Sequence, residues 1–351
     1  MANRIKRSAA LFKSSWAVLR THRALLLLPV ISSIVTLVVA ASFIAPVVAT
    51  VMLDGDLRNE ISAEFTADDQ DRERSRSSGN AAYEESTVAA DRASTSGPSE
   101  VGENRQVSQG WRVTGAVYLF IFYVTTTFVV IFFNAALIAA ANEHFNGNPS
   151  GLGVGLRLAS RRLPQILGWA LVAATVGTIL RMISERSGII GKIVIALVGM
   201  VWTIASYFAV PALVIEGVGP VKALKLSVTT LKETWGESLV LAVGFYAIGT
   251  LITIVSIVCI VGGSIMVAMG LTGDTGSSAA NDGMQVVGVL VALAGLVAMI
   301  SWAILEGTLK GITQTALYRF AKTGEVPAGF DREHLEAAFQ TRKGRKSFRM
   351  S

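Results

Sequence analysis

Long apolar runs separated by polar stretches dominate this chain. Six of them reach the length of roughly 20 residues that a helix needs to cross a bilayer: 24–53, 113–141, 164–183, 190–215, 238–270 and 286–320. The runs are continuous and do not alternate every second residue, which favours helices over the strands of a membrane barrel. The pattern predicts an all-α membrane protein with six transmembrane helices.

Amphipathic stretches precede the first, third and fifth runs. In each, apolar residues recur every three or four positions, and lysines and arginines lie off this stripe, as is typical of a helix lying in the membrane interface. The stripes are Ile5, Ala9, Phe12, Trp16 and Leu19; Leu152, Leu156, Ala159, Leu163 and Ile166; and Val221, Leu224, Val228, Leu231 and Trp235. The candidate lipid contacts are Trp16, Arg20, Arg161, Lys225 and Trp235.

These stretches indicate a unit used three times, in which an interfacial helix introduces a two-span hairpin. Residues 156–174 match 224–242 at seven of nineteen positions. The even-numbered spans also end alike, with Ala-Leu shortly before a glycine, in "FFNAALIAAANEHFNG", "FAVPALVIEGVG" and "TQTALYRFAKTG". Internal repeats are common in membrane folds. The alternative is that any helix flanking a span tends to be basic and amphipathic.

Composition agrees with this class and sets the domain boundaries. Of the 351 residues 52% are hydrophobic and 16% charged, against about 25% charged in soluble domains. Thirteen of the 25 acidic residues lie between Asp54 and Glu103. Too few apolar residues occur there to offset the entropy of ordering. We expect an interfacial helix and span 1 in 1–53, a largely disordered extracytoplasmic loop in 54–110, the other spans in 111–326 and a basic amphipathic tail in 327–351. A folded receptor domain is the alternative for the loop.

Basic residues predict the orientation. Residues 1–23 contain six, the loops after spans 2 and 4 contain three each, and the segment from Arg319 onward contains eight, together 20 of the 31. By the positive-inside rule both termini are cytoplasmic. The net charge of +6 is then a topology signal that can also attract anionic lipids, and no nucleic-acid partner is expected. The first run is too long for a signal peptide, and the single Cys259 excludes an internal disulfide framework.

One ion pair is predicted inside the last run, in "ISWAILEGTLKGITQTALYRFAKTG". Glu306 and Lys310 are four residues apart and can meet on one helix face, with Trp302 and Gln314 continuing the stripe. Ionisable residues in a span are costly and face the bundle interior or water. Glu306 is therefore either the titrating group of an ion or proton pathway or half of a static pair. Lys310 reaching to the inner interface is a further possibility.

Other polar or small residues within the runs have structural and functional interpretations. Asn134 and Gln314 occupy equivalent positions in spans 2 and 6, so their amides either bond to each other or line a polar pore. Gly307 and Gly311 form a Gly-x-x-x-Gly step that suits helix packing. Glu216, at a helix end that disfavours acids, either caps the next helix or pairs with a basic residue, Lys222 or Lys225.

No catalytic motif is recognisable. The three histidines, His22, His144 and His334, are scattered, and no zincin, P-loop, nucleophile elbow or paired-cysteine motif occurs. "GLGVG" at 151–155 lacks the strand context of a phosphate loop. No cofactor, no metal and no enzymatic activity are predicted.

Three segments carry a family resemblance: "FKSSWAVLRTHRALLLLPVISS" (12–33), "FAVPALVIEGVGPVKALKLSVTTLKETWGESL" (208–239) and "TALYRFAKTGEVPAGFDREHLEAAF" (315–339). They resemble a family of prokaryotic polytopic membrane proteins known only as a domain of unknown function. The resemblance covers the chain outside 54–110 and implies six spans in a prokaryotic plasma membrane. The hairpin plan is also loosely similar to membrane domains attached to glycerophosphoryl diester phosphodiesterases, but fold likeness does not transfer activity.

Two classes of function remain open from the sequence. The first is a non-enzymatic scaffold or accessory subunit that contacts membrane lipids, with a protein partner or a second copy as further candidates. The second is a small transporter or channel that uses Glu306 and Lys310. The polar residues in spans 2 and 6 are too few for a wide aqueous pore, which favours the scaffold.

Overall fold

The computed structural model describes residues 15–21, 23–53, 101–233, 238–272, 278–327 and Phe330. Every regular element in these ranges is helical. After a helix at 15–21, which we label α1, and a short 3-10 turn at Arg23–Leu26, the elements are α2 Leu27–Leu53, α3 Val101–Phe145, α4 Leu152–Ser160, α5 Leu163–Glu185, α6 Ile189–Ala205, α7 Ala209–Pro211 continued by a π-helix at Ala212–Glu216, α8 Pro220–Glu233, α9 Ser238–Thr272 and α10 Ser278–Thr323.

Six stretches within the described residues are long and apolar enough to cross a membrane, which confirms the predicted all-α class with six candidate spans. They are Ala24–Thr50, Val113–Phe145, Leu163–Glu185, Ile189–Glu216, Gly249–Thr272 and Asn281–Thr323. α3 begins at Val101, so it includes the last ten residues of the predicted polar loop. Residues 54–100 of that loop, and the tail after Phe330, lie outside the described residues.

The chain divides into two compact units, one of residues 36–126 and one of residues 1–35 with 127–351. In the first unit, α2 and α3 pack through aromatic side chains. The Phe43 ring lies 5.4 Å from the Tyr118 ring and 5.3 Å from the Phe122 ring. The Tyr118 hydroxyl donates a 2.5 Å hydrogen bond to the Phe43 carbonyl.

The core of the larger unit is formed by the last turns of three spans. Ala136, Ala212 and Ala316 are fully buried, and the leucine that follows each is 2% exposed or less. Because these are the Ala-Leu pairs that the sequence places at corresponding positions, the spans meet at their equivalent ends. The helix-ending glycines are also confirmed: Gly147, Gly217 and Gly324 have φ of 75°, 67° and 68°, the left-handed conformation that favours glycine.

Each of the three short helices packs on an even-numbered span. On α4, Gly155 lies so close to the Ala136 carbonyl of α3 that a β-carbon would not fit. On α8, the Ser227 hydroxyl accepts from the Phe208 amide at 2.9 Å. α1 comes before the first described span, and its Ser15 hydroxyl lies 2.7 Å from that of Thr313 on α10, the sixth described span. The short helices therefore contact spans 2, 4 and 6, and we call this cyclic order of contacts, completed by α1 on α10, the ring. The three-hairpin arrangement and the interfacial position of the short helices stay predictions.

α9 and α10 pack closely along their length because glycines on both remove side chains from the contact. A β-carbon on Gly295 would lie 2.8 Å from the β-carbon of Cys259, and one on Gly288 would lie 2.7 Å from the Gly263 carbonyl. The outer faces of both helices expose large apolar side chains, for example Leu251, Val258, Leu290 and Val297. This combination suits a pair of helices whose outer faces contact lipid.

Candidate functional site

The predicted ion pair forms on α10. Lys310 Nζ lies 2.6 Å from Glu306 Oε1, and the Lys310 side chain is 35% exposed against 18% for Glu306. The acid is thus the more enclosed partner. The i, i+4 spacing that suggested the pair is sufficient to explain it, because both residues lie on one face of a continuous helix.

The second carboxylate oxygen of Glu306 faces α9. A β-carbon on Gly249 would lie 2.9 Å from Glu306 Oε2 and 3.1 Å from Trp302 Nε1, so the glycine makes room for both side chains. Trp302 Nε1 is buried and has no hydrogen-bond partner within the described residues. An acceptor oxygen and a donor without a partner in the described residues therefore lie beside the same glycine. The sequence did not single out Gly249.

The sequence suggested a hydrogen bond between Gln314 and Asn134. In the described structure the side-chain amide of Gln314 donates instead to the backbone carbonyl of Tyr207. In an α-helix this carbonyl would accept from the amide of residue 211, but that residue is Pro211, which has no N–H. Gln314 supplies the missing donor. The signal for this role was Pro211 inside an apolar run, since a proline frees the carbonyl four residues before it.

The same break in span 4 is completed by Ser227. Ser206, Tyr207 and Phe208 separate α6 from α7, and the Ala209 amide bonds to Ser206 instead of to Ala205. The Ser227 hydroxyl donates to the Ala205 carbonyl at 2.6 Å and accepts from the Phe208 amide at 2.9 Å. Irregular backbone is tolerated at membrane depth only where such groups are satisfied. Ser227 was not predicted from the sequence, because nothing there distinguishes it from an ordinary helix residue.

Asn134 lies beside Gly311, where α3 and α10 cross. A β-carbon on Gly311 would lie 2.6 Å from Leu137 Cδ2 and 3.7 Å from Asn134 Oδ1. The predicted packing role therefore fits Gly311, which is buried, but not Gly307, which is exposed with open space around it.

Two polar clusters link the ends of the spans. Glu216 accepts from the Tyr318 hydroxyl at 3.2 Å and pairs with Lys322 at 3.0 Å. Its partner is thus on α10, and the proposed partners on α8, Lys222 and Lys225, are wrong. A capping role for Glu216 likewise finds no hydrogen bond in the described residues.

Arg319 holds the second cluster together and was not singled out from the sequence. Its guanidinium donates to Asn142 Oδ1 at 3.2 Å and to Asn146 Oδ1 at the end of α3, and pairs with Glu325 at 3.5 Å. The segment after α10 thereby returns to α3, where Phe330 packs edge-on against Phe145 with 5.9 Å between ring centroids.

The predicted lipid contacts are on the surface where the structure describes them. Trp16 is 38% exposed, and Arg20, Arg161 and Lys225 are exposed. Trp235 lies outside the described residues. Among the described residues no group of three His, Cys, Asp or Glu side chains could hold a metal ion.

These features define a helical multi-pass membrane protein in which the ends of spans 2, 4 and 6 meet in a common core. The family model described as a family of unknown function (DUF6159) matches residues 113–330, more than half of the chain, and the protein belongs to this family. No curated protein and no solved structure matches the chain. The likeness to phosphodiesterase membrane domains stays a prediction.

Proposed function

We propose that this protein is a non-enzymatic membrane scaffold or accessory subunit that organises lipids or a partner complex. The observation that supports the proposal is the packed apolar layer at the span ends. Leu137 lies against Gly311, and the rings of Phe208 and Tyr318 are 5.9 Å apart. Such a layer excludes water, and ions do not cross a dry, packed constriction.

We also propose that the protein lies in the plasma membrane of a prokaryote. Both termini and the short helices are then at the cytoplasmic surface, and loop 54–110 is outside. The distribution of lysines and arginines supports this orientation. We further propose that the fold is a triplicated unit of short helix and hairpin. Support comes from the matched burial of Ser15, Ala159 and Ser227, all 0% exposed, at the same point of the three short helices.

Ion and solute flux into vesicles tests the proposal. The purified chain is reconstituted beside protein-free vesicles, and proton and potassium flux are followed from pH 5 to 8. A scaffold leaves both rates at the protein-free level. A flux that needs the protein would contradict the proposal.

A transporter is the second candidate, because Glu306 lies in a span next to an unused indole donor. Its signature is a flux that falls at least tenfold in Glu306→Gln, since the neutral amide cannot release a proton. Glu185→Gln is the matched control, because that acid also pairs with a basic residue four positions away, Arg181, at the opposite end of the spans. Equal flux in both variants would remove Glu306 from the pathway.

A further inference from the structure

Helix α8 presents three different faces. Ala223 and Ser227 are buried against the protein. Val221, on a second face, is 66% exposed, and the lysines of a third face, Lys222, Lys225 and Lys232, are exposed. Successive residues turn by about 100° on a helix, which places the apolar stripe between the buried face and the lysines. A helix so built can keep one side on the protein while the other two meet hydrocarbon and headgroups.

Helix α4 repeats the buried face and one basic position at a shift of 68 residues. Gly155 and Ala159 are its buried positions, corresponding to Ala223 and Ser227. Arg157 corresponds to Lys225 and is also exposed. The cation therefore has the same position relative to the buried face in both helices, although the residue types differ.

Helix α1 is the third copy, at a shift of 212 residues from α8. Ser15 corresponds to Ser227, and each forms the buried polar contact to a span. Arg20 then corresponds to Lys232, and both are exposed. Lys13 corresponds to Lys225 and lies outside the described residues. We call α1, α4 and α8 the collar.

Basic residues outnumber acidic ones on the collar. No acidic residue occurs in 15–21 or 152–163, and α8 contains one, Glu233, at its last position. The ion pairs of the described residues involve other basic residues, Arg181, Lys310, Arg319 and Lys322. None of them involves Arg157, Arg161, Lys222 or Lys225. Cations beside exposed apolar side chains complement an anionic phospholipid, whose phosphate and acyl chains meet the two kinds of group at one site.

We propose that the collar binds anionic phospholipid at three equivalent sites, one on each helix. The inference rests on the proposed function, because it requires the collar to lie at the membrane interface. The ring contact between Ser15 and Thr313 makes the first site equivalent to the other two, so the expected stoichiometry is three lipids per chain.

Native mass spectrometry of the full chain in mild detergent tests this. Phosphatidylglycerol and phosphatidylcholine with the same acyl chains are added at equal concentration, and retained lipids are counted. We expect up to three phosphatidylglycerol molecules in the wild type. Lys222→Gln with Lys225→Gln should remove one, with retention at that site weakened about tenfold to thirtyfold, since each basic residue near an anionic surface contributes about 1 kcal/mol. Arg157→Gln with Arg161→Gln should remove another.

The matched control neutralises Arg186 and Lys192 at the opposite ends of α5 and α6, where the chain loses the same charge away from the collar. It should keep all three lipids, as should Lys222→Arg with Lys225→Arg, which preserves the charge. Equal losses in control and collar variants, or equal retention of both lipids, would overturn the inference. Either result would leave the scaffold proposal intact if vesicles still show no flux. If vesicles show flux but the wild type retains its three lipids, the scaffold proposal is overturned and the lipid inference is not.

Discussion

The side-chain amide of Gln314 donates to the backbone carbonyl of Tyr207, the carbonyl that Pro211 leaves without a helical partner. Two residues 107 positions apart are thus joined because Pro211 has no backbone N–H to donate. Together with Ser227, this bond lets span 4 break in the middle of a packed core without an unsatisfied backbone group at that carbonyl.

Removing the side-chain amide of Gln314 should destabilise the protein more when Pro211 is present than when Pro211 is replaced. In Gln314→Leu the enclosed carbonyl loses its partner, and the free energy of unfolding should fall by about 1–3 kcal/mol. In Pro211→Ala the new backbone N–H can reach Tyr207, so the same leucine substitution should cost clearly less. A double-mutant cycle measured by denaturation in detergent gives the coupling. Equal costs in the two backgrounds would show that Gln314 acts elsewhere.

Ser227→Ala should lower the free energy of unfolding by about 1–3 kcal/mol, because it leaves both the Ala205 carbonyl and the Phe208 amide unpaired. Ser264→Ala is the matched control, since that exposed hydroxyl bonds only to a carbonyl of its own helix, at Ile260, and should change stability by less than about 0.5 kcal/mol. The comparison is made by thermal melting in the same detergent. Similar shifts for the two serines would mean that the break does not depend on Ser227.

Two adjacent glycines on α9 should respond differently to alanine. A β-carbon on Gly263 would run into the backbone of α10 at Gly288 and lie 2.7 Å from the Ala292 amide, whereas Gly262 has nothing within 4 Å. Gly263→Ala should therefore destabilise by about 1–3 kcal/mol. Gly262→Ala should be neutral or stabilise by roughly 0.5–1 kcal/mol, as alanine suits a helix better than glycine. Unfolding in detergent measures both, and equal effects would contradict the close approach of α9 and α10.

Ring closure by α1 predicts a difference between two neighbouring positions. Ser15 is fully buried against Thr313, while Ala17 is exposed. Ser15→Leu should reduce stability by about 1–3 kcal/mol through overpacking, and Ala17→Leu should stay within about 0.5 kcal/mol of wild type. Melting temperature and resistance of residues 1–35 to protease provide the readout. If Ser15→Leu leaves both unchanged, α1 does not hold the ring.

Local features of the sequence predicted the elements and some contacts. The ion pair of Glu306 and Lys310 follows from a spacing of four on one helix. The ends of spans 2, 4 and 6 follow from a glycine after an Ala-Leu pair, since glycine readily adopts the left-handed conformation. Even the surface exposure of Arg161 and Lys225 was visible, because basic residues off an apolar stripe do not pack inside.

Most of the contacts between helices were not predicted. The sequence offered Asn134 as the partner of Gln314 and two lysines of α8 as partners of Glu216, but the partners are the Tyr207 carbonyl and Lys322. Gly307 and Gly311 share one motif, yet Gly311 alone is buried. In each case the contact depends on which face of a span meets its neighbour. The helical periodicity within one segment does not determine that face.

The sequence by itself determined that this is a six-span helical membrane protein, because lipid requires long apolar runs whose backbone groups are satisfied within each helix. Only the tertiary structure decided which span ends share the core, how α1 closes the ring and which side chains complete the break in span 4. These contacts join residues far apart in the chain. They depend on how closely the helices approach and on which backbone groups lack a partner within their own helix.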